Sequence, residues 1–335
     1  MADRRLERLR GAYYRAYVEQ AEGELGGAAA LLEDIRAALA EAPFADDVFR
    51  ARVERLYARV LLHAGDARGR TIALQALDAL GGMDAPVEGD EHRASMLSDL
   101  CVELNAIGAH DEAVAIMRRT LSVAKDMPLR AIRLTNLAAY LTQRATVRRV
   151  TGNIAEARDD LTDALAAGSE AISIRKHLAD AAPEHFGLAQ RQSQTEVMSA
   201  TVELAAIDDV DLDSLYASAR TFVRETLDER HAPVYDLATR IGRLGCLHQR
   251  RAERAEGAMR HASGARAIAY LHYGWELSSR TYVRPWLPLE LHHAVRSSGD
   301  VTAARRFAEA ALTRLTVQCG AEYPPCVRLS AAATT

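Results

Sequence analysis

The sequence predicts an all-α protein, an α-solenoid of about seven antiparallel helix hairpins. Three observations carry this. Apolar residues recur in steps of three and four along nearly the whole chain, the signature of one buried stripe per helix. Short glycine-centred breaks interrupt that pattern at regular distances. The 335 residues are 49% apolar but only 5% aromatic, so the core must be built from Ala, Leu, Val and Ile, small side chains that let helices approach closely.

The elements follow in order. Near the start, Gly26-Gly27 separates a helix with Tyr13, Tyr14 and Val18 from one with Leu31, Leu32, Ile35 and Leu39, and Pro43 closes the hairpin. Gly65-Asp66 separates Leu56, Val60 and Leu61 from Ile72, Leu74 and Leu77. The stripe Leu97, Leu100, Cys101, Leu104 and Ile107 ends at Gly108. Asp111 is placed to cap the next helix, which carries Ala113, Ile116, Met117 and Leu121 and ends near Pro128. Gly152-Asn153 separates Leu134, Leu137, Leu141 and Val147 from Ile154, Ala157, Leu161 and Leu165. Two middle hairpins are less regular, one from about Glu184 through a turn at 208–211 to about Glu229, the other from Pro233 through Ala255-Glu256-Gly257 to before Arg280. Gly299-Asp300 then separates Leu289, Leu291 and Val295 from Val301, Ala304, Phe307 and Leu312. The glycines at 65, 108 and 152 stand 43 and 44 residues apart. A unit repeated at that distance implies stacking, because one hairpin cannot bury its own apolar face. No Gly/Ser-rich or Pro-rich linker appears, so one domain is expected over 1–318. An irregular tail is expected over 319–335, where Pro324-Pro325 precede a run of Ser, Ala and Thr.

Composition excludes several function classes. The net charge of −4 with both signs interspersed lacks the basic stripe of a nucleic-acid binder, so nucleic acid is not an expected partner. No apolar run is long enough for a membrane span, and the expected location is cytoplasmic. Cys101, Cys246, Cys319 and Cys326 form no Cys-x-x-Cys pair, which reads as reduced thiols with no zinc site. The adjacent His292 and His293 diverge by about 100° on a helix and cannot chelate one metal together. Gly81-Gly82 and Gly26-Gly27 follow no strand, so neither reads as a phosphate cradle. No metal and no cofactor is expected. One helix is basic, with Arg130, Arg133, Arg144, Arg148 and Arg149; it is either a solvated face or a contact for an acidic peptide. The run from His248 to Arg254 is similar, partly offset by Glu253.

The hairpins resemble the tetratricopeptide repeat family. From Leu97 to Pro128, Leu97, Leu100 and Leu104 stand at the family's large first-helix positions, Cys101 and Ala113 at small positions, Gly108 at the turn and Met117 at the usual aromatic position. The stretch from Ala171 to Glu184 is similar to the extended repeats of actinobacterial signalling proteins. The resemblance implies a right-handed superhelix and a protein- or peptide-binding role, and it implies no enzymatic activity. It also implies that the first helix of each pair lines a concave groove. That register selects Arg52, Arg55 and Arg59, then Ser95, Ser98, Val102 and Asn105, then Thr142, Thr146 and Arg149, then Trp286, His293 and Arg296. These positions hold no carboxylate, which suits an acidic or C-terminal peptide; solvated helix faces are the plainer alternative. Trp286, between Pro285 and Pro288, is either core or an aromatic anchor. The expected function is a non-catalytic adaptor or regulatory module. Two alternatives stay open, an enzyme whose His and Arg residues converge from separate hairpins, and a peptide-sensing allosteric switch. Self-association into a homo-oligomer also stays open.

Overall fold

A computed structural model describes residues 2–41, 47–84, 87, 90–227, 234–278 and 282–334. The expected boundaries at Pro43, Pro233, Glu229 and Arg280 lie outside these. Among the described residues the regular structure is helical, with no strand. The chain divides into two compact units, Met1–Val123 with Val317–Gly320, and Ala124–Thr316 with Ala321–Thr335. One continuous domain was expected over 1–318. The short connection 123–126 between the units has no linker composition.

The first unit holds α1 (Ala2–Glu22), α2 (Leu25–Ala40), α3 (Asp47–His63), α4 (Arg68–Ala79), a 3-10 turn at Gly82–Asp84, α5 (Glu91–Ala106) and α6 (His110–Ser122). Each first helix packs on its own partner, α1 on α2, α3 on α4, α5 on α6. The first helices also pack on one another, α1 on α3 and α3 on α5. The second unit holds α7 (Met127–Val150), α8 (Ile154–Ala181), α9 (Pro183–Leu204), α10 (Leu212–Leu227), α11 (Val234–Arg254), α12 (Gly257–Leu277), α13 (Trp286–Ser297), α14 (Val301–Cys319) and α15 (Pro324–Thr334), with residues 317–319 of α14 counted in the first unit. Here too the first helices adjoin, α7 on α9, α9 on α11 and α11 on α13. Packing between neighbours in sequence is what a helical repeat requires.

The hairpin turns have one physical cause. Gly65, Gly108 and Gly152 take φ of 77°, 87° and 88°, the left-handed region that a Cβ disfavours. The next residue's N–H then reaches back over the helix end: Asp66 to the Leu61 carbonyl at 2.8 Å, Ala109 to Leu104 at 2.9 Å, Asn153 to Arg148 at 2.8 Å. The same bond, Glu24 to Glu19 at 2.8 Å, follows Gly23. The first turn is therefore at Gly23, and Gly26-Gly27 lie inside α2, a correction to the expected turn. Asp111 likewise sits in the first turn of α6, where its charge complements the helix dipole; Ala109 holds the cap position.

The middle of the chain, least regular in sequence, is closely packed. α11 and α12 approach through glycines: a Cβ on Gly274 would stand 3.1 Å from the Ala238 carbonyl oxygen and 3.2 Å from the Gly242 Cα. The tail needs a larger correction. Residues 324–334 form α15, which packs on α7 and buries Pro325, Cys326, Leu329 and Ala333. Pro324 and Pro325 open this helix, where the missing N–H groups cost nothing. Among the described residues no helix is long and apolar enough to cross a membrane.

Candidate functional site

The residues selected for a groove are largely committed to the protein itself. In the first unit Arg59 of α3 donates from Nε to Glu103 of α5 at 2.7 Å, and Arg55 stands 4.0 Å from the other oxygen. Arg52 reaches Met96 Sδ at 3.1 Å and His92 at 3.5 Å. Ser98 is buried and bonds to Met117; His110 and Asn105 share a buried hydrogen bond of 2.8 Å. Thr142 is fully buried and donates to the Ala138 carbonyl of its own helix. Trp286 is 0% exposed, with the Arg243 guanidinium 3.8 Å from its ring centroid. It is core, not an anchor. Ser98, Asn105, Thr142 and Trp286 are thus corrected from ligand contacts to packing residues. The groove positions themselves hold no carboxylate, but Glu103, Glu203 and Glu290 lie on the same first helices among the arginines. They are invisible to the groove register because they face the neighbouring first helix.

In the second unit these contacts join into an alternating chain. Arg243 of α11 donates to Glu203 of α9 at 2.7 Å, and Glu203 accepts from Arg149 of α7 at 2.8 Å. Arg149 also reaches Glu290 of α13 at 3.2 Å, and the same oxygen accepts from Arg250 of α11 at 2.7 Å. Arg250 contacts Glu253 at 3.1 Å, and Glu253 pairs with His293 at 2.9 Å. Burial alone would raise the Glu203 carboxyl, but Arg149 and Arg243 outweigh it and hold the group at about 2. Glu253 is held at about 2 as well, by His293, Arg250 and Gln249 against its burial. Three other basic positions of α7 are also matched: Arg144 pairs with Asp160 at 2.6 Å, Arg148 with Asp160 at 2.9 Å and Arg130 with Glu170 at 2.7 Å.

The outer end of this chain opens on a cavity of about 570 Å³. α7 contributes Arg149, α11 Arg250, α13 Glu290, His292, His293 and Arg296, and α15 Arg328 and Leu329. Three of the thirteen groove candidates, Arg149, His293 and Arg296, line this cavity. Arg296 and Arg328 are exposed, and their guanidinium groups have no ion-pair or hydrogen-bond partner among the described residues. His292 has a buried Nε2 without a hydrogen-bond partner. Burial and the charges of Arg296, His293 and Arg328 lower its pKa, so the ring is a neutral imidazole in a positive field. Beyond the Glu253–His293 pair lies a second cavity of about 460 Å³, floored by Ala252, Ala265, Ile268 and Ala294.

Sequence reasoning missed Arg250, Glu290, His292 and Arg328 as lining residues. Arg250 stood in a run noted only as basic, and Arg328 stood in the tail expected to be irregular. No protein-family model matches the chain, and no curated protein matches it. Among the described residues no three His, Cys, Asp or Glu side chains gather as a metal site. All four cysteines are buried thiols. Burial pushes the Cys246 thiol up to about 12.

Proposed function

We propose that this protein is a binding module, a stack of tetratricopeptide-type hairpins that takes an acidic segment of a partner protein at the cavity between α7, α11, α13 and α15. The repeated glycine turns and the side-by-side first helices support the repeat reading. One observation carries the binding reading: Arg296 and Arg328 line a cavity large enough for several side chains and are the lining arginines left over once the alternating chain has matched its own charges. Arginine forks suit carboxylates, and an unmatched positive cleft draws acidic partners by long-range attraction.

The test is fluorescence anisotropy with a fluorescein-labelled hexaglutamate peptide, with a Gly-Ser peptide of equal length as control. Hexaglutamate is expected to bind and the control not. The double variant Arg296→Glu, Arg328→Glu is expected to weaken binding at least about tenfold, since two charge-assisted contacts are each worth roughly 1.5–3 kcal/mol. Both side chains are exposed, so the variant keeps its fold. Equal binding by the variant, or none by the native chain, would remove the reading.

A further inference from the structure

The charges around this cavity sort into a closed set and an open one. Arg243, Arg149 and Arg250 are matched by Glu203, Glu290 and Glu253 through contacts of 2.7–3.2 Å. Three guanidinium groups and three carboxylates cancel. Arg296 of α13 and Arg328 of α15 remain, two positive charges from two helices facing one cavity. His292 stands on the same wall, with a buried Nε2 that finds no partner in the protein.

We propose that the feature this cavity reads on a partner segment is a phosphoryl group, held by the forks of Arg296 and Arg328 with His292 as a further donor. The inference rests on the acidic-segment reading above and narrows it. One carboxylate would satisfy only one of the two spare charges. A phosphoryl monoester carries about −1.5 to −2 near neutral pH and offers three acceptor oxygens, which matches two guanidinium forks and one imidazole. The Glu290 carboxylate does not oppose this, because its charge is already taken up by Arg149 and Arg250. The neutral His292 adds an N–H without adding a third positive charge. A bound dianion would favour its protonation.

The experiment compares two labelled peptides on the full chain, identical Gly-Ser peptides bearing either one phosphoserine or one glutamate. The phosphoserine peptide is expected to bind at least about tenfold tighter. Free inorganic phosphate should displace it, and NMR should show the His292 ring resonances moving as inorganic phosphate is added. Arg296→Lys with Arg328→Lys, which keeps both charges but loses the forks, should reduce the preference for phosphoserine. If the two peptides bind alike while hexaglutamate still binds through Arg296 and Arg328, the phosphoryl inference falls and the acidic-segment reading stands. If no anionic peptide binds, both fall. If phosphoserine binding survives Arg296→Ala with Arg328→Ala, the site is elsewhere and the inference falls.

Discussion

Both units tie their first helices together with arginine and glutamate, but they do so differently. In the first unit one carboxylate, Glu103, serves two arginines, and one contact is long: Arg55 lies 4.0 Å away while Arg59 bonds at 2.7 Å. The Arg55 and Arg59 side chains are 13% and 21% exposed, but the Glu103 side chain is 0% exposed, and its Oε2 and the Arg55 Nε are buried without a hydrogen-bond partner. In the second unit Glu203 sits between Arg149 and Arg243, whose side chains are 17% and 1% exposed, with a short contact to each. The first seam sets one buried carboxylate against two arginines with one close contact, whereas the second gives its buried carboxylate a close contact to each arginine. Where the second seam reaches an open cavity, Arg296 and Arg328 stand beside it without an ion-pair partner among the described residues.

This comparison can be broken by experiment. The largest effect is expected from Glu203→Gln, which leaves Arg149 and Arg243 short of a charge in the interior. A loss of about 3–5 kcal/mol should appear in urea unfolding. If that loss is under 1 kcal/mol, the buried seam is not what holds α7, α9 and α11 together. Next comes acid. The folded pKa of Glu203 is held at about 2, below its unfolded value near 4.5. Its contribution is therefore present above pH 4.5 and is lost as pH falls through 2, an effect of roughly 3 kcal/mol. Asp236 has the opposite sign. Burial and Glu196 push it up to about 6, so its contribution is present below its unfolded pKa and lost as pH rises through 6. Urea midpoints at pH 7, 5 and 3 should thus pass through a maximum near pH 5; a steady rise toward pH 3 would contradict the Glu203 assignment. The smallest effect is expected from Glu103→Gln, about 1–2 kcal/mol, because Glu103 makes one close contact to an arginine where Glu203 makes two. A cost equal to that of Glu203→Gln would erase the distinction between the units.

Much of the helical plan was legible in the sequence, for local reasons. Gly65, Gly108, Gly152 and Gly299 all stand in the left-handed region, at φ of 77° to 92°, because a helix end needs a residue without a Cβ wherever it lies in the fold. The loop at 255–257 was also found. The error at Gly26-Gly27 shows the limit of the signal: three nearby glycines, 23, 26 and 27, compete for one turn, and only Gly23 has positive φ. The site was far less legible. Arg296 lines the cavity without an ion-pair partner, yet Arg55 and Arg59, chosen by the same register, face Glu103. Residue type and helical face were the same. What differed was a carboxylate 44 residues on from Arg59, whose facing is set by how α3 lies on α5.

The sequence by itself determined the helices and most of their turns, because apolar period and glycine position act within a few residues. It also determined that the core is small and aliphatic. Only the tertiary structure decided which charges are spent and which are spare. Pairing depends on distance to groups 40 to 141 residues away, as between Arg250 or Arg149 and Glu290. The same is true of α15. Its short run of Pro, Ser, Ala and Thr reads as a tail until packing on α7 buries Leu329 and brings Arg328 to the cavity wall.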